Sequence, residues 1–470
     1  MGKIDQSGAV KADIPFAITD PERIPAQRYY DEAFYKLECE RLWPFVWQMA
    51  CRLEEIPEVG DFVEYQILDK SVILVRTKTG VKAFHNVCRH RGMRLAHGQG
   101  SCEVKGFQCP FHGWRWNIDG ENTFVFERHL FSEAALEQAE LNLKPCRVDT
   151  WGGCAFINFD DDAAPLRQCL EPFASMHDAR HVEKMKVEWW LSTVLPTNWK
   201  LAMEAFHEGY HVMRTHPQLL PPAVSGDKAS YTAMPGGGGS TASRMKAYKS
   251  SRDMVDSSIK FMKRLSVGMA GMIHARDVEV AETLRDMELP EDVPTAAMIW
   301  NQRLNEEITR IGRERGLDIP DLNTVDVPNL TSGVNYCFPN YFLLPVYGNA
   351  SSYRIRPLGP ETCLFELWSL TLMPEDEKRE RPVAPTPMPH NDPSWPPIPK
   401  QDYSNLPDQQ LGLHAGGFEY MRLSRDTEGL ISNYQRLIDG FLTGVDKRKL
   451  EAAMPKVNGG IDMPIVDLGF

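Results

Sequence analysis

Apolar and polar positions along the chain fall into distinct regimes. Between residues 43 and 160, short runs rich in β-branched and aromatic side chains (62–68, 72–76 and 154–159) are punctuated by Gly60, Gly80, Gly106, Gly120 and the Gly152-Gly153 pair, which predicts a β-rich unit. From about residue 196 the period changes. Trp199, Met203, Phe206 and Tyr210 recur at three- and four-residue steps, predicting one amphipathic helix over 198–212. Pro235 and the glycines of 236–239 predict a flexible loop. The stretch 254–316 reads as helical, with Met254, Met262, Met269, Met272, Met287 and Met298 as helical core. Strand-like runs return over 335–373. Eight prolines among the 18 residues 382–399 predict a surface loop or arm. The segment 417–440 closes with a helical pattern of Leu430, Ile431, Tyr434, Leu437 and Ile438. No internal repeat is present.

Composition narrows the class. The 470 residues are 42% hydrophobic and 25% charged, an ordinary globular balance. Lys and Arg number 52 against 64 Asp and Glu, a net charge of -12 that repels phosphate backbones and disfavours nucleic acid as a partner. Apolar runs fall short of the ~20 residues that cross a bilayer. Residues 1–13 lack the apolar core of a signal peptide, and Gln6 breaks a myristoylation pattern, so the expectation is a soluble cytoplasmic protein without a membrane. Ten scattered cysteines read mostly as reduced core thiols. Cys88 and Cys109 stand apart, because each has a histidine two or three residues on.

Cys88-x-His90 is followed after 18 residues by Cys109-x-x-His112. Two thiolates and two imidazoles on two loops suit one compact metal centre, and a structural zinc site uses the same set. Each loop carries one Cys and one His in the same order, and the second continues Cys109-Pro110-Phe111-His112-Gly113-Trp114. The segment resembles the Rieske [2Fe–2S] motif, which implies that Cys88 and Cys109 hold one iron and His90 and His112 the other. The disulfide clamp of the respiratory type would need cysteines where Met93 and Phe111 stand, so the resemblance is to the oxygenase and ferredoxin type. Arg89, Arg91, Arg94 and Arg115 suit the docking of an acidic electron donor, and equally suit plain solvation.

A second constellation follows Asn198-Trp199-Lys200. Residues 207–211 match the HExxH pattern of zinc proteases, with His207 and His211 as ligands and Glu208 as general base. The extended form of that pattern would need Gly and His where Arg214 and Pro217 stand. The alternative parse, Glu208-x-x-His211-x4-His216, resembles the mononuclear iron motif of Rieske non-haem iron oxygenases, α (catalytic) subunits of the aromatic-ring-hydroxylating family. That resemblance implies a 2-His-1-carboxylate site with His211 and His216 as two arms. It implies that Glu208, where most of the family has Asp, bridges His211 to His90 or His112 of a neighbouring subunit. His207 becomes a nearby core or supporting histidine. Asn198 is carried over as a site residue, and Ala205 replaces a frequent family Asn. The five-residue step predicts that the helix loosens near Arg214. The third ligand is expected at Asp426, which opens a helical stretch with Gln435 nine residues on; Glu428 and Glu366 are its rivals.

The resemblance further implies an α+β fold. Residues 1–42 would pack as a helical segment on the catalytic domain. Residues 43–160 would form a Rieske β-sandwich, inserted into or preceding a helix-grip domain of residues 161–470 with an antiparallel sheet and a Pro-rich loop at 380–400. No nucleotide or flavin loop is found, so electrons from NAD(P)H would come through a separate reductase, directly or by way of a ferredoxin. The assembly implied is a homotrimer, with a small β subunit possible. The implied chemistry is hydroxylation, cis-dihydroxylation or oxidative dealkylation of an aromatic or other hydrophobic molecule. Met269, Met272, Phe342, Leu343 and Trp368 are candidate pocket walls. An electron carrier with no second iron is the other alternative.

Overall fold

The computed structural model describes residues 13–102, 106–219, 248–268, 272–325, 334–378, 380–461 and 463–470. Pro235, the glycines 236–239 and Met269 lie outside the described residues. The chain divides into one unit of residues 43–166 and a second made of 1–42 with 167–470.

The smaller unit is built on a seven-stranded antiparallel sheet in the order Gln48–Arg52, Cys154–Asn158, Pro145–Trp151, Gly80–His85, Lys70–Thr77, Asp61–Ile67, Gln99–Ser101. Alternation fixes its faces: Val63, Tyr65 and Ile67 are buried while Phe62, Glu64 and Gln66 are not. A three-stranded sheet (Phe107–Gln108, Arg115–Trp116, Asn122–Phe124) carries the second metal-motif loop. Ile73, Val75, Phe84, Trp114 and Trp116 share one core, and Trp116 donates its indole N–H to the Leu141 carbonyl at 2.7 Å. Gly120 is required there, because it has φ 86° and a Cβ would meet the Phe84 ring at 2.4 Å.

The larger unit holds the sheet Thr386–Pro387, Lys186–Leu195, Thr362–Thr371, Asn349–Gly359, Tyr341–Val346, Asn335–Cys337, Gly459–Gly460. Every pairing in it is antiparallel except that of Thr386–Pro387. Helices Ser251–Gly268, Ala275–Thr283 and Val293–Glu314 occupy the stretch read as helical. Met254, Met262 and Met272 are buried in it, but Met298 is 65% exposed and so is not core. The closing helix Gly429–Leu442 buries Leu430, Tyr434, Leu437 and Ile438, with Tyr434 edge-on to Tyr336 and Phe338. The α+β architecture agrees with the pattern along the chain. Among the described residues no helix is long and apolar enough to cross a membrane.

Two local readings are corrected. The helix predicted over 198–212 ends at Glu204, and a single turn, Val212–Thr215, follows separately. Phe206 and His207 turn into the interior instead, Phe206 against Phe342 and Tyr353 and His207 against Tyr336 and Tyr434. The Pro-rich run is not loop throughout, because helix Pro397–Leu413 begins inside it. Prolines in a first turn cost nothing there, since those N–H groups have no helical acceptor.

A buried polar network ties the N-terminal helix Glu32–Arg41 to Trp199–Glu204 and to the closing helix. Lys200 Nζ lies 2.7 Å from Glu38, both side chains fully buried, and the Trp199 indole donates to Glu38 at 3.1 Å. Glu204 accepts from Tyr29 at 2.9 Å and from Gln435 at 2.5 Å, and Arg28 donates to Gln435 at 3.0 Å. Paired and hydrogen-bonded buried charges hold position; one partner alone would be costly. This network sets the helix from which the site segment leaves.

Candidate metal centres

The two motif loops share one backbone design. Cys88 N–H donates to the Met93 carbonyl at 2.7 Å and Gly92 N–H to the Cys88 carbonyl at 3.1 Å. Cys109 N–H donates to Trp114 at 2.8 Å and Gly113 N–H to Cys109 at 3.0 Å. Each turn closes through a glycine in the left-handed region, Gly92 at φ 78° and Gly113 at φ 73°. Asn86 secures the first loop by accepting from Leu95 N–H at 2.9 Å and Ala96 N–H at 3.0 Å.

These turns bring the four expected residues together. Cys88 and Cys109 are buried, and the Cys88 thiol is pushed up by burial and by the Cys109 thiol alongside. The rings of His90 and His112 lie 4.7 Å apart, and His90 stacks on Trp114 at 4.8 Å. His90 Nδ1 is buried with no hydrogen-bond partner. A buried, unsatisfied imidazole nitrogen beside two buried thiols is what a bound metal centre would satisfy. The donor set therefore fits a two-Cys, two-His cluster.

In the larger unit, His211, His216 and Asp402 offer ligand atoms within 4.8 Å of one another. His216 Nε2 is 3.0 Å from Asp402 Oδ1, and His211 Nε2 is 3.9 Å from the same oxygen. Both histidines are held from behind by Nδ1. Glu208 Oε1 accepts from His211 Nδ1 at 2.6 Å, while its Oε2 accepts from the His211 backbone N–H at 2.9 Å. Gln401 Oε1 accepts from His216 Nδ1 at 2.7 Å. Burial pushes His211 down, but the Glu208 carboxylate outweighs it and lifts the ring above its ordinary range. Two imidazoles with Nδ1 engaged and Nε2 converging on a buried carboxylate fit a divalent metal of the 2-His-1-carboxylate kind.

The structure brings a carboxylate other than the expected Asp426 to the two histidines. Asp426 is exposed in the turn before the closing helix, whereas Asp402 is buried on helix Pro397–Leu413. Of the rivals, Glu366 is committed to Arg354 at 2.8 Å and Arg356 at 3.1 Å. Burial pushes Glu366 up, but those guanidiniums hold it below the usual carboxylate range. Glu428 lines the cavity beside Glu208, and burial raises it. A sequence signal for Asp402 exists, an Asp with Gln410 eight residues on in place of Gln435 nine after Asp426, but the proline run masks it.

The protease pair is not assembled. His207 is fully buried, burial pushes it down to about 3, and neither ring nitrogen has a hydrogen-bond partner among the described residues. Because residues 207–211 are not helical, the four-residue step does not put His207 and His211 on one face. Asn198 also takes a different role. Its side chain accepts from Lys200 N–H at 2.9 Å as a helix cap and donates to the Pro360 carbonyl at 2.6 Å.

A cavity of about 720 Å³ opens at His211 and Asp402. Glu204, Glu208, Asp402 and Glu428 supply acid to its wall, and Phe418 and Met421 supply apolar surface. Of the pocket candidates within the described residues, Met272, Phe342, Leu343 and Trp368 are buried and do not line it.

The family model for the ring hydroxylating alpha subunit catalytic domain matches residues 176–444, and the Rieske [2Fe-2S] domain model matches residues 46–125. The chain is 33% identical over 205 residues to a glycine betaine monooxygenase oxygenase subunit of Pseudomonas aeruginosa, covering 42% of this chain and 45% of the relative. It is 33% identical over 199 residues to a biphenyl dioxygenase subunit alpha of Paraburkholderia xenovorans, covering 40% and 43%. These alignments span less than half of each relative. Among solved structures, the fold resembles a naphthalene 1,2-dioxygenase variant bound to phenanthrene (TM-score 0.64, 20% identity, 94% and 97% of the two chains). It also resembles a quaternary ammonium Rieske monooxygenase in complex with an inhibitor (TM-score 0.58, 16% identity, 92% and 99%).

Proposed function

The chain belongs to the family of ring-hydroxylating oxygenase α subunits, and from that premise we propose that it is the terminal oxygenase of a multicomponent system. It inserts oxygen from O2 into a small aromatic or otherwise hydrophobic molecule, with electrons drawn from NAD(P)H by a separate cytoplasmic reductase, directly or through a ferredoxin. The observation that carries this reading is the presence in one chain of two distinct donor sets: the paired Cys-His loops, and the His211–His216–Asp402 triad. When bound, a [2Fe–2S] cluster at Cys88, His90, Cys109 and His112 supplies single electrons, and a ferrous ion at the triad supplies open positions for dioxygen.

The chain's own groups do the rest. Glu208 keeps the Nδ1 proton of His211 in place and makes that imidazole the more basic of the two arms. The carboxylates Glu208 and Glu428 beside the triad are complementary in charge to Arg89, Arg91 and Arg115, exposed on the smaller unit with Met93 and Phe111. This supports a contact in which the cluster loops of one copy meet Glu208 of the next, and the family resemblance makes that assembly a homotrimer. A hydrophobic substrate is favoured by the apolar side chains of the cavity wall, Leu201, Leu406, Leu413, Phe418 and Met421; the family resemblance makes an aromatic one the first choice.

The test is turnover under ¹⁸O₂ with a surrogate reductase and a panel of aromatic and quaternary ammonium compounds. Label in the product of an aromatic compound is the expected result. Label only in products of quaternary ammonium compounds would overturn the substrate assignment, and product without label would overturn the oxygenase reading. Glu208→Ala is expected to lower turnover about 10- to 100-fold, the scale of losing a group that holds a metal ligand, while Glu208→Asp retains it.

A further inference from the structure

We propose that Gln401 is a positioning residue for His216, fixing which ring nitrogen faces the metal, and that Gln218 locks the Gln401 amide in the orientation this requires. The inference rests on the reading of His211, His216 and Asp402 as a metal site. Gln401 Oε1 lies 2.7 Å from His216 Nδ1, and Gln218 Nε2 lies 2.7 Å from the same oxygen. Gln401 Nε2 returns a longer bond to Gln218 Oε1 at 3.4 Å. An amide can sit either way round; with Nε2 of His216 given to a metal, Nδ1 carries the ring proton and needs an acceptor, which the Gln401 oxygen supplies while the Gln218 NH₂ donates to the same atom. The backbone carbonyl of Gln218 is itself held by Arg264 of helix Ser251–Gly268.

The consequence is chemical. A neutral imidazole has one N–H and one lone pair, and the acceptor it meets decides which nitrogen carries which. With Nδ1–H donated to Gln401, the lone pair of His216 is at Nε2, the atom 3.0 Å from Asp402. Gln401 directly precedes Asp402 on one helix, so one turn supplies both a ligand and the clamp of a second ligand. The two arms are also unlike. His211 is clamped by a carboxylate and His216 by a neutral amide, so His216 should be the less basic donor.

The experiment uses the full-length, cluster-loaded protein, dialysed to equilibrium against Co(II) alone, with bound cobalt measured by elemental analysis. His216→Ala, which removes a ligand, tests the underlying reading. Gln401→Leu, which removes only the acceptor, tests the inference. The expected result is loss of stoichiometric cobalt in His216→Ala and about 10- to 100-fold weaker binding in Gln401→Leu. Gln401→Glu, which keeps the acceptor, should restore it. Wild-type affinity in His216→Ala overturns the metal-site reading. Loss in His216→Ala with wild-type affinity in Gln401→Leu overturns the inference and leaves that reading standing. Failure of Gln401→Glu to rescue also overturns the inference, because a packing role alone would then explain the loss. If Gln401→Leu also loses the visible cluster absorption, Gln218→Leu decides: weakened binding supports the inference and wild-type binding overturns it.

Discussion

Asn198 accepts the Lys200 N–H at the head of Trp199–Glu204 and donates to Pro360. Losing such a cap costs ~1 kcal/mol, and a buried carbonyl left without its donor adds a similar amount. Asn198→Ala is therefore expected to lower the urea midpoint by the equivalent of about 1–2 kcal/mol. Turnover per metal-loaded site should stay within about twofold of wild type, since the hydrogen bonds of Asn198 run to Lys200, Pro360 and Gln410 and not to the triad. A collapse of turnover with unchanged stability would contradict this. The same residue shows what single positions disclose. Cys88 with His90, Cys109 with His112, and His211 with His216 stand out in the sequence because each pair is set by a few residues of local chain. Asp402 does not, because only the fold brings it to His216, and Asp426 heads an equally plausible helix.

Elements were legible where one face is apolar and one is not. The strands of the smaller unit and the closing helix Gly429–Leu442 follow their periods closely. The two elements that matter most to the site broke that rule. Residues 198–212 have a helical period, yet the helix stops at Glu204, and Phe206 and His207 both enter the interior from the turn that follows. Burial of those rings outweighs the lost helical hydrogen bonds, and the non-helical turn lets Glu208 fold back on His211. Helix Pro397–Leu413 hides behind prolines that are harmless in its first turn. Segments that carry chemistry satisfy the site before their own propensity.

At the scale of the whole molecule, the buried network couples the chain's two ends to the site helix and should make stability depend on pH. Burial raises Glu204 to about 7, against the bonds from Gln435 and Tyr29 that favour its charged form. An acid raised above its ordinary 4.5 keeps a proton in the folded state that the unfolded chain has released. Its contribution is thus full at low pH and lost as pH rises from about 4.5 to about 7, by up to about 3 kcal/mol. Glu204→Gln, always neutral, should escape that loss, so its stability relative to wild type should rise across the window; parallel curves would contradict the assignment. The central claim is that one chain holds two separate iron centres, with Asp402 completing the second. Iron measured against acid-labile sulfide, alongside the EPR spectrum of the dithionite-reduced protein, tests it most directly. Wild type and Asp426→Ala should both carry iron in excess of sulfide. Asp402→Ala should carry iron equal to sulfide with the cluster signal unchanged. Excess iron retained in Asp402→Ala, or lost in Asp426→Ala, would contradict the account.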